Sequence, residues 1–126
     1  MAKIMIVDDA LFMRQMLAKI LIAEGHEICA EATNAKEAVE KFKTVRPDLV
    51  TMDIVMPLME ELDGIGAVNE IMKLDPKAKI LIVSAMSQQP IVVEAIRLGA
   101  RDFLSKPVNP QRLKEVVKSI LTEPLG

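Results

Sequence analysis

Short runs of apolar residues alternate along the chain with longer stretches in which apolar residues recur every three or four positions. Runs of the first kind predict strands that are buried on both faces, and stretches of the second kind predict amphipathic helices. The predicted strands are residues 4–7, 27–32, 49–52, 80–83 and 102–105. A helix follows each strand, and the predicted helices are residues 13–21, 35–42, 64–74, 90–98 and 110–121.

Residues that favour the ends of helices stand at several of these boundaries. Asn34 is followed three positions later by Glu37, which predicts a capping pair at the start of the second helix. Pro90 and Pro110 can each occupy the first turn of a helix. Gly99 follows the fourth helix and predicts its end.

Five successive strand–helix units predict an α/β fold. The strands are apolar throughout rather than alternating, as in a parallel sheet that is covered by helices on both faces. Five units are too few for an eight-unit barrel, so we expect a doubly wound, five-stranded parallel sheet of the flavodoxin-like (βα)5 type. The length of 126 residues is typical of one domain, and we expect a single domain over residues 1–126.

Composition excludes several classes of protein. Hydrophobic residues make up 51% of the chain and charged residues 27%, which excludes a disordered chain. The net charge of −2 argues against a nucleic-acid partner. Cys29 is the only cysteine, and as part of a predicted buried strand it is expected in the core. With neither a signal peptide nor an apolar run of membrane-spanning length, we expect a monomeric cytoplasmic protein without a membrane partner.

Polar residues that could bind a metal ion or take part in a reaction follow four of the five predicted strands. They are Asp8 and Asp9, then Asp53, Ser84 and Lys106. Each has an ordinary explanation by itself, such as a helix cap, a turn residue or a solvated charge. Parallel strands, however, bring their carboxyl ends to one edge of the sheet, where ligands bind. Three neighbouring carboxylates repel one another, and a hard divalent cation, Mg²⁺ or Mn²⁺ rather than zinc, would relieve that repulsion.

Four segments resemble the motifs of the response-regulator receiver domain: Val7-Asp8-Asp9, residues 52–57, Ser84-Ala85 and Lys106-Pro107. The resemblance covers essentially the whole chain. Further segments are similar to the stand-alone chemotaxis regulators within that family: residues 12–14, Gly64-Ile65, residues 84–86 and residues 99–103.

The resemblance implies a phosphoryl acceptor and its metal site. Asp53 would accept a phosphoryl group from the phosphohistidine of a histidine kinase. Asp9, Asp53 and the backbone carbonyl of Val55 would hold Mg²⁺, with Asp8 acting partly through water. Lys106 would pair with a phosphoryl oxygen. The protein would catalyse only its own phosphorylation and dephosphorylation, and would not otherwise be an enzyme.

The resemblance also implies a switch. Ser84 would donate a hydrogen bond to the phosphoryl group, and the small Ala85 would leave room for Phe103 to turn inward. The surface of the fourth helix, fifth strand and fifth helix would then change. Val55 and Met86 occupy the two positions that tune dephosphorylation in this family, and both are apolar. We therefore expect slow unassisted hydrolysis and dependence on a separate phosphatase.

Three departures from the family pattern stand near this site. Ser84 replaces the commoner Thr, and Phe103 stands where several chemotaxis members carry Tyr. Five residues, 58–62, separate Pro57 from Asp63, where the family usually has two. The longer loop either projects into solvent or folds over the site.

Control of a motility motor in chemotaxis is the expected function, and two alternatives to it remain. The sequence continues only a few residues past the last helix, so we expect output by protein contact with a motor switch or motor-adaptor protein. A single-domain phosphorelay intermediate of the sporulation type is the alternative within the family. A Mg²⁺-dependent phosphatase with an aspartyl nucleophile would belong to a different class, but that chemistry requires Asp-x-Asp after the first strand, where Asp8 and Asp9 are adjacent.

Overall fold

A computed structural model describes residues 1–55, 63–85 and 89–123 of the chain. Every predicted strand and helix is present in it. The elements in chain order are β1 (Lys3–Val7), α1 (Leu11–Ala23), β2 (Glu27–Ala32), α2 (Ala35–Val45), β3 (Leu49–Met52), α3 (Gly64–Leu74), β4 (Ile80–Ser84), α4 (Gln89–Leu98), β5 (Asp102–Ser105) and α5 (Pro110–Thr122). None of the helices in these described ranges is both long and apolar enough to cross a membrane.

The strands form one parallel sheet in the order β2-β1-β3-β4-β5. The three central strands are buried almost completely, whereas β2 and β5 lie at the edges and are partly exposed. This confirms the predicted doubly wound α/β sheet. Cys29 on the edge strand β2 is only partly buried, which corrects the expectation that this residue lies in the core.

Two separate cores lie on the two faces of the sheet. Successive residues of a strand point to opposite faces, so Met5 and Val7 of β1 pack with α2, α3 and α4, while Ile4 and Ile6 pack with α1 and α5. Both faces of the central strands are therefore apolar. This explains why the strands read as continuous apolar runs in the sequence.

Side-chain caps fix where several helices begin. Asn34 Oδ1 accepts a hydrogen bond from Glu37 N at 2.8 Å, which confirms the predicted cap of α2. Glu37 Oε1 in turn accepts from Thr33 N at 2.7 Å, so the reciprocal bond reaches one residue further back than in a standard capping box. Asn109 caps α5 ahead of Pro110, whereas α4 begins at Gln89 and Pro90 is its second residue.

Gly64 brings the start of α3 against the backbone that follows β3. A Cβ atom at this position would lie 2.4 Å from Ile54 Cα and 2.9 Å from the carbonyl oxygen of Asp53. Any residue other than glycine would push these segments apart. Asp63 caps the same helix by accepting a hydrogen bond from Gly66 N at 2.7 Å. The approach of α3 thus fixes the backbone at Asp53.

Candidate functional site

Three carboxylates meet at the carboxyl end of the sheet. β1 and β3 are neighbours with Val7 paired to Met52, so the residues that follow these strands lie side by side. Oxygen atoms of Asp8, Asp9 and Asp53 lie within 4.8 Å of one another. Asp8 and Asp53 are 1% and 4% exposed, whereas Asp9 is exposed to solvent. The convergence expected from the strand order is therefore present.

Lys106 lies between the two buried carboxylates. Its Nζ donates to Asp8 Oδ2 at 2.7 Å and to Asp53 Oδ2 at 3.0 Å. The backbone N–H of Lys106 donates to the Ser84 carbonyl at 3.0 Å, which holds the end of β5 beside the end of β4. One ammonium is thus shared by Asp8 and Asp53.

The charge on Lys106 is stabilised by this arrangement. Burial by itself disfavours the ammonium form, but the hydrogen bonds and charges of Asp8 and Asp53 outweigh burial and raise the pKa of Lys106 above its ordinary value. The side chain is therefore a fixed cation at neutral pH.

Backbone N–H groups hold the other oxygen of each buried carboxylate. Asp8 Oδ1 accepts from Ala10 N at 2.9 Å, and Asp53 Oδ1 accepts from Val55 N at 2.9 Å. Each carboxylate is thus oriented by its own turn on one side and by Lys106 on the other. Such fixed orientation is what a reacting or metal-binding oxygen requires.

The donor set fits Mg²⁺. Lys106 balances one of the three negative charges, and the exposed carboxylate of Asp9 leaves an open side through which an ion can enter. Carboxylate oxygens without histidine or thiolate ligands favour Mg²⁺ over zinc. Asp8, Asp9 and Asp53 are close enough to bind one such ion together.

The predicted switch residues occupy the neighbouring strand ends. Ser84 is the last residue of β4, is fully buried, and pairs in register with Ser105. Ala85 is exposed, while Phe103 on β5 is half-buried and packs against the core beneath α2, α3 and α4. Their roles on phosphorylation remain predictions.

The structure describes only one of the two residues predicted to tune dephosphorylation. Val55 is 45% exposed beside Asp53. Met86 lies outside the described residues, as do the extra loop residues 58–62.

Arg14 also contacts this region, although it does not follow the end of a strand. Its Nη1 donates to the carbonyl oxygen of Asp8 at 2.9 Å, and its Nε donates to Glu31 Oε1 on β2 at 2.8 Å. The second strand is the one that no such polar residue follows, but Glu31 within it reaches the site through Arg14. An arginine one turn into the helix that follows two aspartates is the available sequence signal, and its partner could not be identified without the register of β2.

The sequence of the chain is similar to known proteins over almost its whole length. The family model for the response regulator receiver domain matches residues 4–118. Chemotaxis protein CheY of Thermotoga maritima is 53% identical over 118 residues, covering 94% of this chain and 96% of that protein. Chemotaxis protein CheY of Bacillus subtilis is 50% identical over 119 residues, covering 94% and 97%.

A solved structure is similar over almost the same range. One chain of the CheX–CheY–BeF3–Mg²⁺ complex from Borrelia burgdorferi superposes with a TM-score of 0.90 at 33% identity, covering 96% of this chain and 90% of that chain. The fold, the acidic cluster with its lysine and the match over most of the chain agree, and the chain belongs to the response regulator receiver domain family.

Proposed function

We propose that this protein is a phosphorylation-dependent switch of a chemotaxis system, and that Asp53 receives its phosphoryl group from a histidine kinase. The observation that carries the proposal is the environment of Asp53. Its carboxylate is buried, held by Lys106 and by the Val55 N–H, and adjacent to two further carboxylates. A buried aspartate held in this way is suited to nucleophilic attack.

The transfer step is an in-line displacement at phosphorus. One carboxylate oxygen of Asp53 forms a bond to phosphorus while the phosphorus–nitrogen bond to the kinase histidine breaks. The electron pair of that bond stays on the imidazole nitrogen, which takes up a proton from solvent. Lys106 is already within 3.0 Å of Asp53 and stabilises the negative charge of the phosphoryl oxygens as the group arrives.

Asp9, Asp53 and the Val55 carbonyl would hold Mg²⁺, with Asp8 acting partly through water. When bound, Mg²⁺ neutralises charge on the phosphoryl group. The protein residues have separate tasks. Asp8 orients Lys106 through the 2.7 Å bond to Oδ2, and the Val55 N–H orients Asp53.

The response to phosphorylation would travel through β4 and β5. The Ser84 hydroxyl would donate to a phosphoryl oxygen, which draws the end of β4 toward Asp53. Phe103 pairs in register with Ile82 of β4, two residues before Ser84. Movement at Ser84 and Ala85 therefore alters the space available to Phe103, and a shift of a few kcal/mol between two packings is enough for a switch.

The output would be a protein contact made in the cytoplasm. The helix α4, which follows β4, exposes Val93 and Ile96, and apolar side chains of this kind are suited to a partner surface. The similarity to the chemotaxis proteins CheY of Thermotoga maritima and Bacillus subtilis supports chemotaxis, and the similar Borrelia protein is in complex with CheX together with BeF3 and Mg²⁺. A motor switch or motor-adaptor protein is the partner that this function requires, and a separate phosphatase would end the signal.

Acetyl phosphate and Mg²⁺ test the acceptor. The intact mass of the wild type should increase by one phosphoryl group, and Asp53→Asn, which retains the shape of the side chain, should not be labelled. Asp48→Asn is the matched control, because Asp48 also accepts a backbone hydrogen bond but directly precedes β3, at the amino end of the parallel strands. Full labelling of Asp53→Asn would place the acceptor elsewhere, and turnover of many phosphate esters would indicate a phosphatase.

Beryllofluoride tests the output. A pulldown in its presence and absence should capture a motor or motor-adaptor protein only when beryllofluoride occupies the site. Capture of a phosphotransfer protein instead would indicate a phosphorelay intermediate.

A further inference from the structure

Arg14 connects the metal-binding turn to the edge strand β2. Its guanidinium donates to the Asp8 carbonyl at 2.9 Å and to Glu31 Oε1 at 2.8 Å. The Arg14 side chain is only 13% exposed, whereas that of Glu31 is 45% exposed. A planar guanidinium presents several donors in fixed directions, so one side chain can join these two groups while holding both in place.

The Arg14 bond completes the fixation of Asp8. The backbone N–H of Asp8 donates to the Ala32 carbonyl at 3.0 Å, and its carboxylate is held by Ala10 N and Lys106. The carbonyl is the remaining polar group of this residue, and Arg14 binds it. Because a peptide unit is planar, a hydrogen bond to the Asp8 carbonyl also sets the orientation of the unit that leads into Asp9.

The orientation of the Asp9 carboxylate depends on the backbone more than the orientation of the Asp8 and Asp53 carboxylates does. It is the exposed member of the cluster, whereas Asp8 and Asp53 are buried. The helix that follows begins with Ala10 at its N-cap, which has no side-chain group to hold the turn. Arg14, in the first turns of α1, holds this turn from inside the helix instead.

We infer that Arg14 is a positioning residue for the Mg²⁺ ligand Asp9, and that Glu31 anchors Arg14 to β2. This inference rests on the proposed Mg²⁺-dependent function. The partners that orient a metal ligand commonly change metal affinity by about 10- to 100-fold when they are removed. An ion pair that only joined α1 to β2 would leave Mg²⁺ affinity unchanged.

Mg²⁺ affinity measured by titration calorimetry on the full chain separates these roles without any phosphorylation. Arg14→Met keeps most of the apolar stem but removes the donors, and should raise the Kd for Mg²⁺ by about tenfold. Arg101→Met is the matched control, because Arg101 pairs with Glu123 at the same 2.8 Å with a similarly buried side chain, 20% exposed, and neither residue belongs to the acidic cluster. Its Kd should stay within about twofold of the wild type, since no metal ligand depends on it.

Each outcome decides the inference. Equal Mg²⁺ affinity of Arg14→Met and the wild type would overturn it, and so would an equal loss of affinity in Arg101→Met. If the wild type bound no Mg²⁺, the proposed function would fail together with the inference. If Arg14→Met did not fold, Arg14→Lys and Glu31→Gln would decide, because each should still raise the Kd for Mg²⁺, by less than the loss expected of Arg14→Met. An unchanged Kd in both would refute the positioning role.

Discussion

The Nζ atom of Lys106 lies 3.0 Å from Asp53 Oδ2, and the same atom lies 2.7 Å from Asp8 Oδ2. Two buried carboxylates therefore share a single cation. The lysine contributes to the stability of the fold at the same place where it is proposed to contact the phosphoryl group. Removal of its charge should consequently affect stability and chemistry together.

Lys106→Met should lower the free energy of unfolding by about 1–3 kcal/mol in Mg²⁺-free buffer, because two buried carboxylates lose their ammonium partner. Added Mg²⁺ should recover part of this loss, and urea unfolding with and without Mg²⁺ measures both. Lys114→Met is the control, since Lys114 pairs with Glu24 at 3.9 Å on the surface and should cost about 0–1 kcal/mol. Equal losses in the two variants would contradict the shared-cation account.

Gly64→Ala should slow the phosphorylation of Asp53. The added Cβ would lie 2.4 Å from Ile54 Cα, so the backbone next to Asp53 must move. Gly25→Ala is the control, because Gly25 has a φ of 91° with open space around it and should cost about 1–2 kcal/mol through backbone strain alone. Labelling rates with acetyl phosphate, measured at saturating Mg²⁺, should fall only for Gly64→Ala. A similar fall in both variants would attribute the effect to general instability.

Mg²⁺ should raise the thermal midpoint of the wild type by mass action. At ten times Kd the ion adds about 1.4 kcal/mol to the free energy of unfolding. Asp9→Ala removes the exposed ligand and should abolish most of this increase, whereas Asp102→Ala, outside the acidic cluster, should retain it. If the midpoint rises equally in Asp9→Ala, Mg²⁺ binds elsewhere.

Hydrolysis of the aspartyl phosphate should be slow, because Val55 and Met86 have apolar side chains that cannot hold the attacking water by hydrogen bonding. Met86→Glu should speed the loss of the phosphoryl group several-fold. Val93→Glu, which adds the same charge to an exposed apolar position on α4, should leave the rate unchanged. An unaltered lifetime in Met86→Glu would refute the exclusion of water by apolar side chains.

Cys29 should react slowly with iodoacetamide while the protein is folded. Burial raises the pKa of its thiol above the ordinary value of 9.0, and the thiolate is the reactive form. Because the folded state holds the proton more tightly, this group contributes stability below about pH 9 that is lost as pH rises through the raised pKa. Alkylation at pH 8, followed by mass, should be faster in urea than in buffer, and equal rates would contradict the shift.

Hydrophobic periodicity was sufficient to predict the fold, because the central strands are buried on both faces and each helix has an apolar side. Asn34, Pro110 and Gly99 then marked boundaries that the structure confirms. The position of β2 was harder to assess, because its composition does not show whether the strand lies at the edge or in the centre of the sheet. The apolar pattern accordingly predicts Cys29 in the core, whereas the structure shows it only partly buried.

The acidic cluster was predictable for a different reason, which is that parallel strands bring their carboxyl ends to one edge. The bond from Arg14 to a backbone carbonyl was not, because every residue provides a carbonyl and the sequence carries no mark of the one that is used. The pairing of Arg14 with Glu31 depends on the register between β1 and β2, which contains an irregularity between Ile4 and Met5. Local pattern does not predict such a shift.

The bond between Lys106 and Asp8 spans 98 positions of the chain. The chain is synthesised from its amino terminus, so all three aspartates are in place before the lysine that pairs with two of them is added. Until the fifth strand docks, the acidic cluster of the nascent domain lacks the ammonium that pairs with Asp8 and Asp53. The site proposed to receive the phosphoryl group is thus completed only when the last strand–helix unit has been synthesised and docked.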